Sequence, residues 1–217
     1  MNQQNQPNKV SFNENSFIGE VIESSLSAAI GQCWRWNNLP TFASLIELEN
    51  NNQRIFGCVT DIRTESTDPS RKPFAYQKTE EELLSQQPQI FELLKSTFTI
   101  QILGYQEATS KSMFFQVPPQ PCKIHSFIRP VNEKTFAEIV SHPESFSLLF
   151  SFCDNPTRLE ELLLALLCTI HRKNLLTKDF FRSFYENFAI LNNNNYKRVK
   201  IFFERLEYIH KKLEKGS

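Results

Sequence analysis

The sequence predicts an α+β protein: a six-stranded antiparallel β-barrel with a helical insertion, followed by an α-helical C-terminal bundle. Three observations predict it. Short segments rich in β-formers, alternating apolar and polar residues, fill the first half. Apolar residues spaced three and four apart fill the second half. Between them, "VPPQPCKIHSFIRPV" at 117–131 carries four of the eleven prolines and marks the change from one pattern to the other.

Residues 1–16 are polar and read as a loose tail. "FIGEVIES" (17–24), "AAIGQCWRW" (28–36), "FASLIELE" (42–49), "RIFGCVTDIRT" (54–64), "STFTIQILGYQ" (96–106) and "SMFFQV" (112–117) are the six predicted strands. "ENNNQR" at 49–54 has the Asn content of a hairpin turn, since Asn tolerates positive φ. Gly19, Gly31, Gly57 and Gly104, four of the five glycines, fall inside these strands, where Gly marks bulges or close approach. The barrel thus spans 17–116, interrupted by a polar loop at 66–73 and a helical insertion over 79–96. Thr79 and Glu82 have capping-box spacing. Pro88 suits the start of a second short helix.

Residues 117–131 read as an extended Pro-rich strap, with Ile124, Phe127 and Ile128 as its core anchors. The C-terminal helical domain covers 132–217. Candidate helices lie at 132–142 and 143–152. A long helix opens at a second capping-box pair, Thr157 and Glu160. Its residues Leu159, Leu162, Leu163, Leu166, Leu167 and Ile170 form a stripe broad enough for the centre of a bundle. A further helix runs over 177–191, with Phe180, Phe181, Phe184, Phe188 and Leu191 on one side. The last carries Tyr196, Val199, Phe202, Leu206, Ile209 and Leu213 on one face.

The composition excludes several classes. Five scattered glycines supply neither GxxxxGK[ST] nor GxGxxG, so no self-contained nucleotide-hydrolysing site is expected. The four histidines are far apart in sequence, and no HExxH or Cys/His cluster occurs. No metal, cofactor or catalytic residue is assigned. Cys122 and His125 have C-x2-H spacing. A hydrolase using that pair is the third reading of the function, set against a plain packing role for the strap. Five widely spaced cysteines, an odd number, suit a reducing cytoplasm better than a disulfide framework. Met1 to Asn8 lacks the apolar core of a signal peptide. The longest apolar run, "LLLALLC", is too short to span a membrane.

Net charge is zero but uneven: 12 Lys+Arg against 17 Asp+Glu over 1–154, and 12 against 7 over 155–217. Such asymmetry marks a nucleic-acid or membrane surface, or two halves that complement each other. Candidate partner-binding residues are Arg71 and Lys72 on the 66–73 loop, His125 on the strap, and Lys197, Arg198, Lys200 and Arg205 on the last helix.

"FIGEVIESS", "FGCVTDIRTESTDPSRKP", "PQIFELLKSTFTIQILGY" and "PPQPCKIHSFIRP" resemble the small HAS-barrel proteins of cyanobacterial type. The HAS barrel is shared by bipolar DNA-translocating helicases and rotary ATP synthase subunits, where it sits outside the motor and docks partners. The resemblance runs from about residue 17 to 152. It implies a barrel used for assembly, without the ATPase core. The expected function is a non-enzymatic protein–protein interaction module, an adaptor or assembly factor with a protein partner. The second reading is an accessory factor in DNA processing that binds nucleic acid or a DNA-translocating ATPase. Homo-oligomerisation stays open.

Overall fold

A computed structural model describes residues 17–50, 53–68, 70, 73–110, 112–152, 156–192 and 195–215. Seven strands form one sheet: β1 (Gly19–Ser24), β2 (Ala28–Cys33), β3 (Leu45–Asn50), β4 (Gln53–Ser66), β5 (Leu94–Glu107), β6 (Met113–Phe114) and β7 (Phe127–Pro130). The order is β2-β1-β7-β3-β4-β5-β6, and a further pairing of β2 with β5 closes the first six into an antiparallel barrel. All pairings are antiparallel.

The membership of that ring differs from expectation. The predicted strand at 112–117 contracts to Met113–Phe114, which hangs on β5 alone through Tyr105↔Phe114 and Gln106↔Met113. The sixth stave is β7, drawn from the predicted strap. It pairs with β1 through Gly19↔Ile128 and with β3 through Leu48↔Ile128 and Ile46↔Pro130. A four-residue strand ending in proline has no alternation long enough to register as a strand, so its identity comes from the two edges it satisfies. Of the expected strap anchors, Ile128 is fully buried inside the barrel, whereas Ile124 is exposed and Phe127 lies half-buried on the outside.

Inward residues alternate along each strand: Val21, Ala29, Ile46, Ile55, Ile100 and Ile128 belong to one closed cluster. Gly31 lets this interior close. A Cβ there would stand 2.5 Å from Phe98 Cζ and 2.6 Å from Ile128 Cδ1. Gly31→Val is therefore expected to destabilise the protein by about 1–3 kcal/mol through overpacking. Chemical denaturation would register this as a lower midpoint at unchanged slope. Ladder shifts between Phe56 and Gly57 and between Val59 and Asp61 bend β4 against β5, as strand glycines led one to expect at the first.

The insertion forms α1 (Glu80–Gln86) and α2 (Gln89–Glu92). Thr79 and Glu82 make the full capping box, and Pro88 is the N-cap of α2. The helical stretch ends at Glu92 rather than 96, because Leu94–Ser96 already pair with β4 at Ser66–Thr64.

The helical region comprises α3 (Glu133–Ser141), a 3-10 helix (Pro143–Phe146), α4 (Ser147–Phe152), α5 (Pro156–Arg172), α6 (Lys178–Leu191) and α7 (Tyr196–Lys215). Asn132 caps α3 and Thr177 caps α6 through side-chain oxygens that accept backbone N–H bonds. α5 begins at Pro156; the side chain of Thr157, the expected cap, lies outside the described residues. Leu162, Leu163, Leu164, Leu166, Leu167 and Ile170 are all buried, which makes α5 the bundle's centre. In α7 the stripe holds at Val199, Phe202 and Leu206 and fails at Tyr196, which is exposed. The outward barrel residues Leu45, Phe56, Cys58 and Leu103 share one core with the helices. Asp61 of β4 and Arg158 of α5 add an ion pair across that seam at 2.9 Å. Among the described residues no helix is long and apolar enough to cross a membrane.

Candidate functional site

The α5–α6 connection starts from a left-handed residue. Asn174 has φ 57° and follows the end of α5. Its N–H bonds His171 O at 2.8 Å, and Leu175 N–H reaches back to Ile170 O at 3.0 Å. This is a Schellman-type ending, and Asn is one of the few residues that takes that conformation cheaply. It turns the chain so that Leu176 and Thr177 face the gap between helices before α6 begins.

α5 and α7 then run parallel, with α6 returning between them. Arg198 meets Glu160 at a separation of 38 residues, and His210 meets His171 at 39. Arg205 reaches Glu161 at 2.6 Å. The resulting groove encloses about 730 Å³ and is lined by Leu167, Leu176, Phe181, Tyr185, Phe203, Leu206 and Ile209, with Cys168, His171, Lys178, Arg182, Glu207 and His210 among its polar groups. Phe181 and Tyr185 pack edge-on or tilted against Phe203 at 5.4 and 4.9 Å, yet both remain exposed. Glu207 is held by Lys211 at 2.6 Å, which lowers its carboxyl below the ordinary range. Lys178 and Arg182 have no ion-pair partner among the described residues. The groove is thus apolar inside with uncompensated positive charge at its edge.

A second cavity, about 540 Å³, lies against the barrel and is more polar than the first. Glu47 of β3, on the outer face, is its anchor. Its side chain is 1% exposed. Arg54 of β4 donates from Nε and Nη2 at 2.7 and 2.6 Å, and Arg129 of β7 donates from Nη2 at 2.8 Å. Burial pushes the Glu47 carboxyl up, but the hydrogen bonds and charges of the two guanidiniums outweigh it, and the carboxyl sits below its ordinary value.

His125 lines this cavity. It occupies the left-handed region at φ 67° in a turn closed by Ser126 N–H to Lys123 O at 3.1 Å. Its ring is exposed, with Nδ1 3.0 Å from Glu20 Oε2, and Glu20 Oε1 accepts from Trp34 Nε1 at 2.9 Å. Cys122 turns the other way, into the barrel core, where burial raises its thiol against the lowering effect of hydrogen bonds from Ser126 and Lys123. The strap therefore does not bring Cys122 and His125 together as a dyad. A buried, protonated thiol is also a poor nucleophile. Burial likewise pushes Cys33 up to about 11 and Cys58 to about 12. Cys153 lies outside the described residues.

Arg71 and Lys72 also lie outside the described residues. Arg198, Lys200 and Arg205 are engaged with Glu160, Glu204 and Glu161, so much of the predicted basic surface is neutralised locally. Lys197 is exposed. The sequence reading missed the groove and the meeting of His171 with His210. Both require the register between α5 and α7, which no local pattern carries. Cys168-x2-His171 and Glu207-x2-His210 each place two polar groups on one helix face, and that spacing was the available signal.

No known family's sequence profile matches this chain, and no curated protein is significantly similar to it.

Proposed function

We propose that this chain is a non-enzymatic interaction module, an adaptor or assembly factor, that holds a protein partner in the α5–α6–α7 groove. The observation that carries the reading is the groove itself: an apolar channel of about 730 Å³ with exposed aromatic residues and with Lys178 and Arg182 unpaired among the described residues. Aromatic anchors and Arg are the groups that dominate binding at protein interfaces. The occupant that matches is an amphipathic helix of a partner, apolar toward Phe181, Tyr185 and Phe203, with acidic side chains placed to meet Lys178 and Arg182. The HAS-barrel resemblance, which implies partner docking, agrees with this reading. The DNA-processing reading has less support, because Arg198, Lys200 and Arg205 already spend their charge on neighbouring carboxylates.

The test is site-specific photo-crosslinking in the native host. A photoreactive residue at Tyr185 is expected to form an adduct with one discrete partner. The same residue at Phe74, exposed in the segment before α1, is not. Phe181→Asp and Arg182→Glu should each abolish the adduct while leaving the far-UV spectrum unchanged. Identical adducts from both positions, or an adduct insensitive to both substitutions, would sink the proposal.

A further inference from the structure

We infer that His171 and His210 form a two-imidazole site for a divalent d-block cation such as Zn(II). Nδ1 of His210 lies 3.2 Å from Nε2 of His171, with ring centroids 4.3 Å apart and the planes at 82°. Two Zn–N bonds of ordinary length at the tetrahedral angle place their nitrogens about 3.3 Å apart. The observed spacing matches the bite of a chelating pair. In the structure the two nitrogens lie within hydrogen-bond distance, one ring donating and the other accepting.

The surroundings favour the assignment. The rings project from separate helices, so their separation depends on packing rather than on one flexible loop. The α5–α7 register is held by Arg198–Glu160 and Arg205–Glu161, and by the buried neighbours Leu167, Ile170 and Leu206. Both rings border the 730 Å³ groove, which has room for the ion's remaining ligands. Among the described residues no three His, Cys, Asp or Glu side chains are gathered to hold an ion by themselves. Glu207, for one, is turned to Lys211. Among the described residues the site therefore offers two protein ligands, with water completing the coordination. Such a site is open and exchangeable, unlike a closed structural zinc centre. Imidazole nitrogen selects zinc, copper or nickel over magnesium or calcium. This assignment does not rest on the groove's occupant.

The test uses the full chain stripped with a chelator and titrated with ZnCl2 at pH 7.5. The expected result is one zinc per chain. At zinc about 100-fold above Kd, the melting temperature should rise by about 5 °C or more. Magnesium should have no effect. At pH 5.5 the affinity should fall, because protons compete for the imidazole lone pairs. His171→Gln and His210→Gln should each abolish the 1:1 event. In case either variant fails to fold, imidazole NMR of the wild-type chain decides: of its four histidines, only His171 and His210 should respond to zinc. No 1:1 binding, binding that survives both substitutions, or a response at His125 or His142 instead would overturn the inference.

Discussion

Replacing Arg54 and Arg129 together by methionine is expected to destabilise the protein by about 3–5 kcal/mol, because it strands the Glu47 carboxylate in a nearly inaccessible position. The Glu47 side chain is 1% exposed, whereas the two arginine side chains are 36% and 35% exposed, so the carboxylate is the group that suffers when the network is broken. Adding Glu47→Gln to the double variant should recover much of the loss, since a neutral amide is far cheaper to bury. The pH dependence gives an independent check. In the wild type the folded-state carboxyl is depressed below its ordinary value of 4.5. Its contribution is therefore fully present above the ordinary carboxyl range and is lost as pH falls through the depressed folded value. In the Arg-free variant only burial acts on Glu47, and burial raises an acid. That variant binds its proton more tightly folded than unfolded, so its deficit against wild type should narrow as pH falls. Urea denaturation of both proteins across the acid range would show this. A deficit independent of pH would mean that the lost arginines mattered through packing alone.

Ile128→Ala should cost about 2–5 kcal/mol, the range for emptying a fully buried aliphatic site. Ile124→Ala, four residues away, should change stability by no more than about 0.5 kcal/mol. Both belong to "CKIHSFIRP", and both have the character of strap anchors when only the sequence is read. They differ because Ile128 pairs with Gly19 of β1 and Leu48 of β3 and fills the barrel, whereas Ile124 stands exposed beside the turn at His125. Hydrogen exchange adds a second readout. The Ile18 amide, bonded to Ile128 O at 2.9 Å, and the Val131 amide, bonded to Leu45 O at 3.2 Å, should lose protection in Ile128→Ala and keep it in Ile124→Ala. Equal effects of the two substitutions would contradict β7 as the stave that closes the ring.

The same contrast separates what was legible from what was not in the candidate site. Each helix of the groove was foreseen, with Thr177 at the start of α6 and the buried stripe of α5. The groove was not, because an apolar stripe that includes Phe181, Leu167, Leu206 and Ile209 does not say which of its members stay open once the helices pack. Phe181 and Tyr185 lie off the α6 core line of Phe184 and Phe188, and they become a surface only when α7 brings Phe203 beside them. The basic face of α7 reads as a surface for acidic partners in the sequence. Two of its arginines are spent on Glu160 and Glu161, which lie 38 and 44 residues away.

Alternation along β1 to β5, the capping box at Thr79 and Glu82, and the three-and-four spacing in α5 were sufficient for an α+β chain with its barrel ahead of its helices. These are local signals, set by φ/ψ preference and by side-chain period within a few residues. The closing stave, the burial of Glu47 against Arg54 and Arg129, the opposite orientations of Cys122 and His125, and the meeting of His171 with His210 came from the assembled fold. Each joins groups from strands or helices distant in the chain or sets which side of an element meets the core. A short segment such as "FIRP" becomes a strand when two unpaired edges need it, and two distant histidines become neighbours when helix packing selects one register over the rest.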